Sequence, residues 1–313
     1  MVSHKKFDVV GVGCCAVDYL GILPRFPRMD EKLWMEEFTK QGGGMVGTAL
    51  VAIARLGAKP CYVGRVGSDE FGRFVIESFD REGVDTSEIE LVEGKSARVA
   101  FVFVDRQTGA RTILIPTQNI PPVEAQHIRP DAIRAGKILL IDPLEPGAAR
   151  AAEIAKEAGM PVVIDAEYHG DDPGRILDNC NYIIASEGFA QHYTGVDDPI
   201  KAARRMFEEQ SKLSQHKVVV VTRGDRGSYT ISADESFEIP AFKMDSIVDT
   251  TGCGDVFHGA YVYGVLQEWG LKRIAEFSSA VAAMKTRKLG GRAGIPTLAE
   301  VADFLRNRGK YQI

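Results

Sequence analysis

Long apolar runs are missing from this chain. The longest, such as Ile138 to Ile141 and Val218 to Val221, fall far short of the roughly 20 residues a helix needs to cross a bilayer. No membrane partner is expected. Blocks of Lys and Arg are missing too. The formal net charge is -5, so a nucleic-acid partner is not expected either. Cysteine is sparse: Cys14, Cys15, Cys61, Cys180 and Cys253, an odd number with no C-x-x-C spacing. That pattern argues against a disulfide framework and against a structural zinc centre. The opening MVSHKKFDVVGVG has neither the apolar stretch nor the cleavage pattern of a secretory leader. A reduced, cytoplasmic protein is the expectation.

Several catalytic signatures are absent as well. There is no G-x-x-x-x-G-K-[ST] loop, no pair of protein-kinase glycine and catalytic loops, and no G-x-S-x-G elbow. The six histidines are scattered, with no H-E-x-x-H pair and no Cys/His cluster. GVGCCA, Gly11 to Ala16, matches G-x-G-x-x-A after an apolar run. A dinucleotide fingerprint needs a helix next, but DYLGILPRFP follows, with Pro24 and Pro27. A tight strand end explains these glycines.

What is present is an ordinary globular composition. With 45% hydrophobic residues over 313 positions, the chain can bury the core of one large α/β domain or two modest ones. FDVVGVG, PCYVGRVG, KILLID, PVVID, YIIAS and KVVVVT are short, rich in β-branched residues, and end at Gly, Asp, Ser or Thr. Such runs suit strands buried on both faces. Helix-period segments separate them. Val46, Leu50, Ile53 and Leu56 share a face, as do Phe71, Val75 and Phe79, with Gly83 placed to end that helix. GAARAAEIAKEAG and ADFLRNRG add helices. The alternation predicts a doubly wound, mostly parallel sheet with helices on both faces. No repeat, low-complexity tract or linker divides the chain. Two stretches break the rhythm. KLWMEEFTK alternates in part, and ARVAFVFVDRQTGARTILI reads as a hairpin turning near Thr108 and Gly109. They form either a small projecting sheet or an extra layer of the core.

DTTGCGDVF, Asp249 to Phe257, joins small residues to a carboxylate and an apolar run in which Val256, Ala260, Tyr263 and Leu266 share a helical face. TTGCGD then enters a helix N-terminus, where unpaired N–H groups and the helix dipole favour an anion. Gly252 and Gly254 let the backbone turn and a ligand approach. Asp255 beside that anion is costly unless it has a task, such as taking a proton from an attacking hydroxyl. Taken alone, it is equally explained as an acidic residue in a first helical turn.

DTTGCGDVF resembles the D-T-x-G-A-G-D-x-F signature of the ribokinase-like (pfkB) carbohydrate kinases. GGGMVGTALVAIARLG, Gly42 to Gly57, is similar to the family's glycine pair opening a helix. Gly64 to Ser87 resembles the family's next segment, and the likeness runs from about Phe7 to Pro296. ASEGFAQHYTG and TRKLGGRAGIP look more like the ketohexokinase and sulfofructose-kinase branch than like ribokinase. The resemblance implies a single domain over 1–313 with a small β-sheet lid at about 14–22, 32–41 and 97–116, which excludes water and often makes homodimers. It implies an ATP-dependent kinase acting on a sugar hydroxyl, possibly a ketose's, with Mg²⁺ and an optional K⁺ near Asp249. Asp255 is then the catalytic base, and the amides of Gly252, Cys253 and Gly254 form the anion hole. Asp18, Gly43 and Gly44 line the sugar site. VTRGDRGSY places Thr222, Gly224 and Gly227 near ATP, and Ser279 and Ala283 lie in the segment walling the adenine.

Three positions depart from the family pattern. Thr48 stands where an Asn contacts the sugar, with a shorter reach. Ser186-Glu187-Gly188-Phe189 replaces N-x-x-E, leaving Glu187 as the acidic group for the metal's waters. Cys253 replaces an alanine, and a thiol at a helix N-terminus is expected to have a lowered pKa. Lys32 and Arg292 are candidates for an anionic substituent, although solvated charges explain either alone. Two alternatives stay open. One is a nucleoside kinase whose base stacks on Trp34, Phe101 or Phe103. The other is a silent sugar or nucleotide sensor.

Overall fold

FDVVGV and KILLI are apolar at nearly every position because both of their faces are covered. The computed structural model describes residues 5–167, 174–214 and 217–309. The first four residues of the opening stretch, His169 and His216 lie outside the described residues. The strands are β1 (Phe7–Val12), β2 (Ala16–Leu23), β3 (Glu37–Gly43), β4 (Pro60–Gly67), β5 (Asp85–Val92), β6 (Arg98–Asp105), β7 (Arg111–Leu114), β8 (Gly136–Ile141), β9 (Val162–Ala166), β10 (Tyr182–Ser186), β11 (Val218–Thr222), β12 (Ser228–Ile231) and β13 (Ser236–Ile239). The helices are α1 (Met45–Arg55), α2 (Glu70–Glu82), α3 (Pro130–Arg134), α4 (Gly147–Glu157), α5 (Gly174–Leu177), α6 (Glu187–Thr194), α7 (Pro199–Gln210), α8 (Cys253–Leu266), α9 (Leu271–Lys285) and α10 (Leu298–Arg306).

Among the described residues a nine-stranded sheet runs β13-β12-β11-β10-β9-β8-β1-β4-β5. It is parallel from β11 to β5, with β12 and β13 antiparallel at one edge. Alternate strand residues feed two cores. Val9, Ile138 and Leu140 join α1, α8 and α9 on one face. Val10, Leu139 and Ile141 join α4, α6 and α7 on the other. The mostly parallel, two-faced architecture expected from the alternation is therefore present. Gly11 and Gly13 have packing reasons. A Cβ at Gly11 would lie 2.7 Å from Leu50, and one at Gly13 would lie 2.4 Å from Asp142 Oδ2.

The two irregular stretches build a separate four-stranded sheet, β3-β2-β6-β7. Phe101 pairs with Leu114 and Val104 with Arg111 across the hairpin. Its turn is set by Asp105, whose Oδ1 accepts from the amides of Gln107 and Thr108, and by Gly109 at φ 68°. The strand expected from Lys32 starts only at Glu37. Residues 32–36 cross a gap between β2 and β3, and Trp34 there is 92% exposed. Leu20, Ile22, Val102 and Val104 pack on Leu289 and Val248 of the main body. Asp18 shares that inner face. Tyr19 and Phe101 stack on the opposite face, 5.6 Å apart.

α8 is apolar on every side and buried from Val256 to Gly264. A Cβ at Gly259 would stand 2.4 Å from Ala49 O, so α1 and α8 approach closely. This packing fixes the direction in which the N-terminus of α8 points.

Candidate active site

α8 begins at Gly252, whose φ of 73° is strained for any residue with a side chain. A Cβ there would also meet Gly291 Cα at 2.8 Å. No side chain caps the helix, and Gly254 is exposed with open space where a Cβ would stand. The Gly252 and Gly254 amides have no backbone partner among the described residues and are available to an anion, whereas the Cys253 amide donates to Thr250 O at 3.3 Å. Asp255 follows in the first turn, half-buried. Burial, and then the carboxylates of Asp165 and Glu167, push its pKa well up, while His258 and Arg111 act against that rise.

Asp165 is the penultimate residue of β9 and is almost fully buried. Its Oδ1 lies 3.3 Å from His258 Nε2, and its Oδ2 has no hydrogen-bond partner among the described residues. His258 Nδ1 lies 2.6 Å from Gly254 O, so the imidazole also holds the first turn of α8. Arg111 is an exposed residue of β7, and its charge bears on both Asp255 and Cys253. The hairpin tip reaches the same loop, because Thr250 Oγ1 donates to Gly109 O at 3.0 Å. Sequence reasoning missed Asp165, His258 and Arg111. Each is a lone residue whose relevance depends on a partner distant in the chain.

The expected sugar-site residues converge. Asp18 is 8% exposed, and burial raises its pKa to about 6, against the pull of Arg292. A Cβ on Gly43 would fall 2.0 Å from Asp18 Oδ2, so the glycine makes room for the carboxylate. Gly44 is the N-cap of α1 at φ 83°, and Thr48 is buried within α1. Arg292 corrects an expectation. It is not a solvated charge but 3% exposed, donating to Gly43 O at 2.9 Å and Ser78 Oγ at 3.2 Å beside the Phe79 ring. Burial lowers its pKa to about 10. The guanidinium braces the glycine strand. Lys32 is exposed in the gap before β3 and joins none of these groups.

In the loop expected to face a nucleotide, Thr222 ends β11, and Gly224 and Gly227 adopt φ of 59° and 86°. Gly224 opens onto free space, whereas Gly227 is pressed by Ile239 O. Ser279 and Ala283 lie one turn apart on α9, buried and half-buried. Glu187 starts α6, and its carboxylate is held by Arg226. Asp249 is fully buried and accepts hydrogen bonds from Thr251 and Gly290. Phe101 and Phe103 lie on the face away from Asp18, so neither can stack on a base lying against it.

Cys253 corrects a second expectation. Burial raises its pKa, outweighing Lys285 and Arg111, so the helix terminus does not yield a reactive thiolate. It remains the least buried of the five cysteines. Alkylation by iodoacetamide is expected to be slow, to strike Cys253 first, and to be slowed further by ATP. Peptide mapping with equal labelling in both conditions would remove Cys253 from the anion hole.

Comparison with known proteins places this geometry. The description "pfkB family carbohydrate kinase" matches residues 6–298. The chain is similar to 5-dehydro-2-deoxygluconokinase from Clostridium botulinum, 29% identical over 98% of this chain and 95% of that one. It is similar to Thermotoga maritima ribokinase at TM-score 0.82 and 26% identity, covering 96% of this chain and 100% of that one. Arabidopsis thaliana ribokinase, solved with ribose and ATP, has the same fold at TM-score 0.78 and 21% identity, over 95% of this chain and 98% of that one.

Proposed function

The chain belongs to the pfkB family of carbohydrate kinases, and from that premise we propose that it transfers the γ-phosphoryl of ATP to a sugar hydroxyl with Asp255 as the base. The observation that carries this reading is the uncapped first turn of α8. It presents the unpaired amides of Gly252 and Gly254, an adjacent carboxylate of raised pKa and, close enough for its charge to be felt there, Arg111. The amides meet the charge that grows on the transferred group, and Asp255 accepts the proton of the attacking hydroxyl. Asp18, beside Gly43, holds the sugar's other hydroxyls.

The residues fit ATP. Gly224 leaves open backbone at the end of β11, where a nucleotide can lie close. Among the described residues no cluster of three His, Cys, Asp or Glu is assembled as a metal cage. Mg²⁺ bound with the nucleotide would supply charge neutralisation during transfer. Glu187, engaged by Arg226, is poorly placed to serve it.

The four-stranded sheet is read as the lid, its inner face over the sugar and its hairpin tip on Thr250. The outer face leaves Phe38, Phe101 and Leu114 exposed, which supports a homodimer through the lid. The substrate panel begins with 5-dehydro-2-deoxygluconate and ribose, from the relatives' names, followed by ketoses and nucleosides. ADP release with Mg²⁺ is expected on one sugar class. Turnover confined to nucleosides, or none while ATP still binds, would overturn the proposal.

The acid limb of kcat/KM follows from the site's charges. Asp255 works only when deprotonated, and its pKa is raised by burial, Asp165 and Glu167. Activity should therefore fall as pH drops through a midpoint above the ordinary carboxylate range. Asp165→Asn removes one neighbouring negative charge, so the midpoint should move to lower pH. A limb unmoved by that change would point to another group.

A further inference from the structure

Lys285 is the last residue of α9, where a lysine ordinarily extends past the helix end into water. Here the side chain is 0% exposed. Its Nζ donates to Asp249 O at 3.0 Å and lies 3.9 Å from Asp249 Oδ2. Asp249 is equally buried, and both of its carboxylate oxygens already accept hydrogen bonds. Oδ1 takes them from Thr251 N and Thr251 Oγ1, and Oδ2 from Gly290 N, each at 2.7 Å. One enclosed ammonium thus stands behind the turn Asp249 to Gly252; burial lowers its pKa, while the nearby carboxylates of Asp249 and Asp255 act against that fall.

The resemblance to the family implies an optional K⁺ in this loop, and the residues do not fit one. A potassium ion needs oxygen lone pairs turned towards it. Those of the Asp249 carboxylate face N–H and O–H donors, and its carbonyl faces an ammonium that would repel a second cation. We propose that Lys285 supplies, as a fixed ammonium, the single positive charge behind the anion-binding turn, so that this chain needs no monovalent cation. A tethered charge is preorganised, aimed through the loop at the N-terminus of α8 where the transferred phosphoryl gathers charge. The inference rests on the kinase reading.

The first test uses the unaltered protein in potassium, sodium and tetramethylammonium chloride at matched ionic strength, with Mg²⁺ constant. The same sugar turnover in all three is expected, and saturable activation by K⁺ overturns the proposal. Calorimetric ATP binding in the same salts is expected to show one affinity. That arm decides the cation question even if no sugar on the panel is turned over. Lys285→Ala removes the charge and opens a cavity at Asp249 O. Turnover in tetramethylammonium should fall by roughly a hundredfold, as for loss of an oxyanion-hole donor, and recover in part with K⁺ or NH₄⁺. Full activity of that variant in tetramethylammonium, or a loss that neither cation relieves, counts against the proposal. If Lys285→Ala does not fold, the salt series on the native protein still decides.

Discussion

Asp255→Asn should lower kcat by roughly 10²–10⁴-fold, the usual contribution of a positioned general base, and leave ATP affinity intact or slightly improved. Asparagine matches the carboxylate in shape and keeps the first turn of α8 in place. It cannot accept the hydroxyl proton. It also removes a negative charge beside the anion-binding amides, which is why nucleotide binding should not weaken. Steady-state rates and calorimetric ATP binding separate these effects. A variant that keeps its kcat would mean that Asp255 is only an acidic residue suited to a helix start, and the base would have to be sought elsewhere in the cleft.

Gly43→Ala should be nearly as damaging, by another route. The added Cβ would lie 2.0–2.3 Å from all three atoms of the Asp18 carboxylate, so that group must swing out of the sugar site. The φ of Gly43 is ordinary, and the obstruction is a side-chain end, so the fold should survive. Sugar kcat/KM should drop by about a hundredfold, the usual consequence of an ångström-scale misplacement. ATP binding and melting temperature should hardly move. A loss of ATP affinity matching the loss of sugar turnover would show instead that Gly43 supports the whole domain.

The fold was legible where local pattern decides it. Apolar runs such as Val218 to Val221 are strands because two helical layers cover them, and EFGRFVIESF shows its helical face in Phe71, Val75 and Phe79. The hairpin was legible from its turn near Thr108 and Gly109. The start of β3 was not, because the alternation in Lys32 to Met35 has no partner strand among the described residues. In the site, DTTGCGD announced its helix terminus through glycines that only a tight turn requires. Arg111, Asp165, His258 and Lys285 announced nothing, since each belongs to the cleft through a fold contact far along the chain. Arg292 and Cys253 were misjudged for one reason. Sequence shows a charge or a helix end but not desolvation, and burial lowers the basicity of Arg292 and raises the Cys253 pKa.

The carboxylates gathered around this cleft have a consequence for the stability of the molecule. Asp18 and Asp142 titrate near 6 and 7, and Asp165 and Asp255 are displaced upward as well, in each case chiefly by burial. A group that holds its proton more tightly when folded favours the folded chain at acid pH, and that contribution is lost as pH rises through the folded pKa. These four groups therefore stabilise the protein most below the unfolded carboxylate value and least at neutrality, where the proposed base Asp255 is ionised. The ionisation that the proposed base needs also loosens the fold around it. If the cleft binds its proposed substrates, binding should therefore raise the melting temperature most near neutrality, where the unbound fold is least supported by these groups.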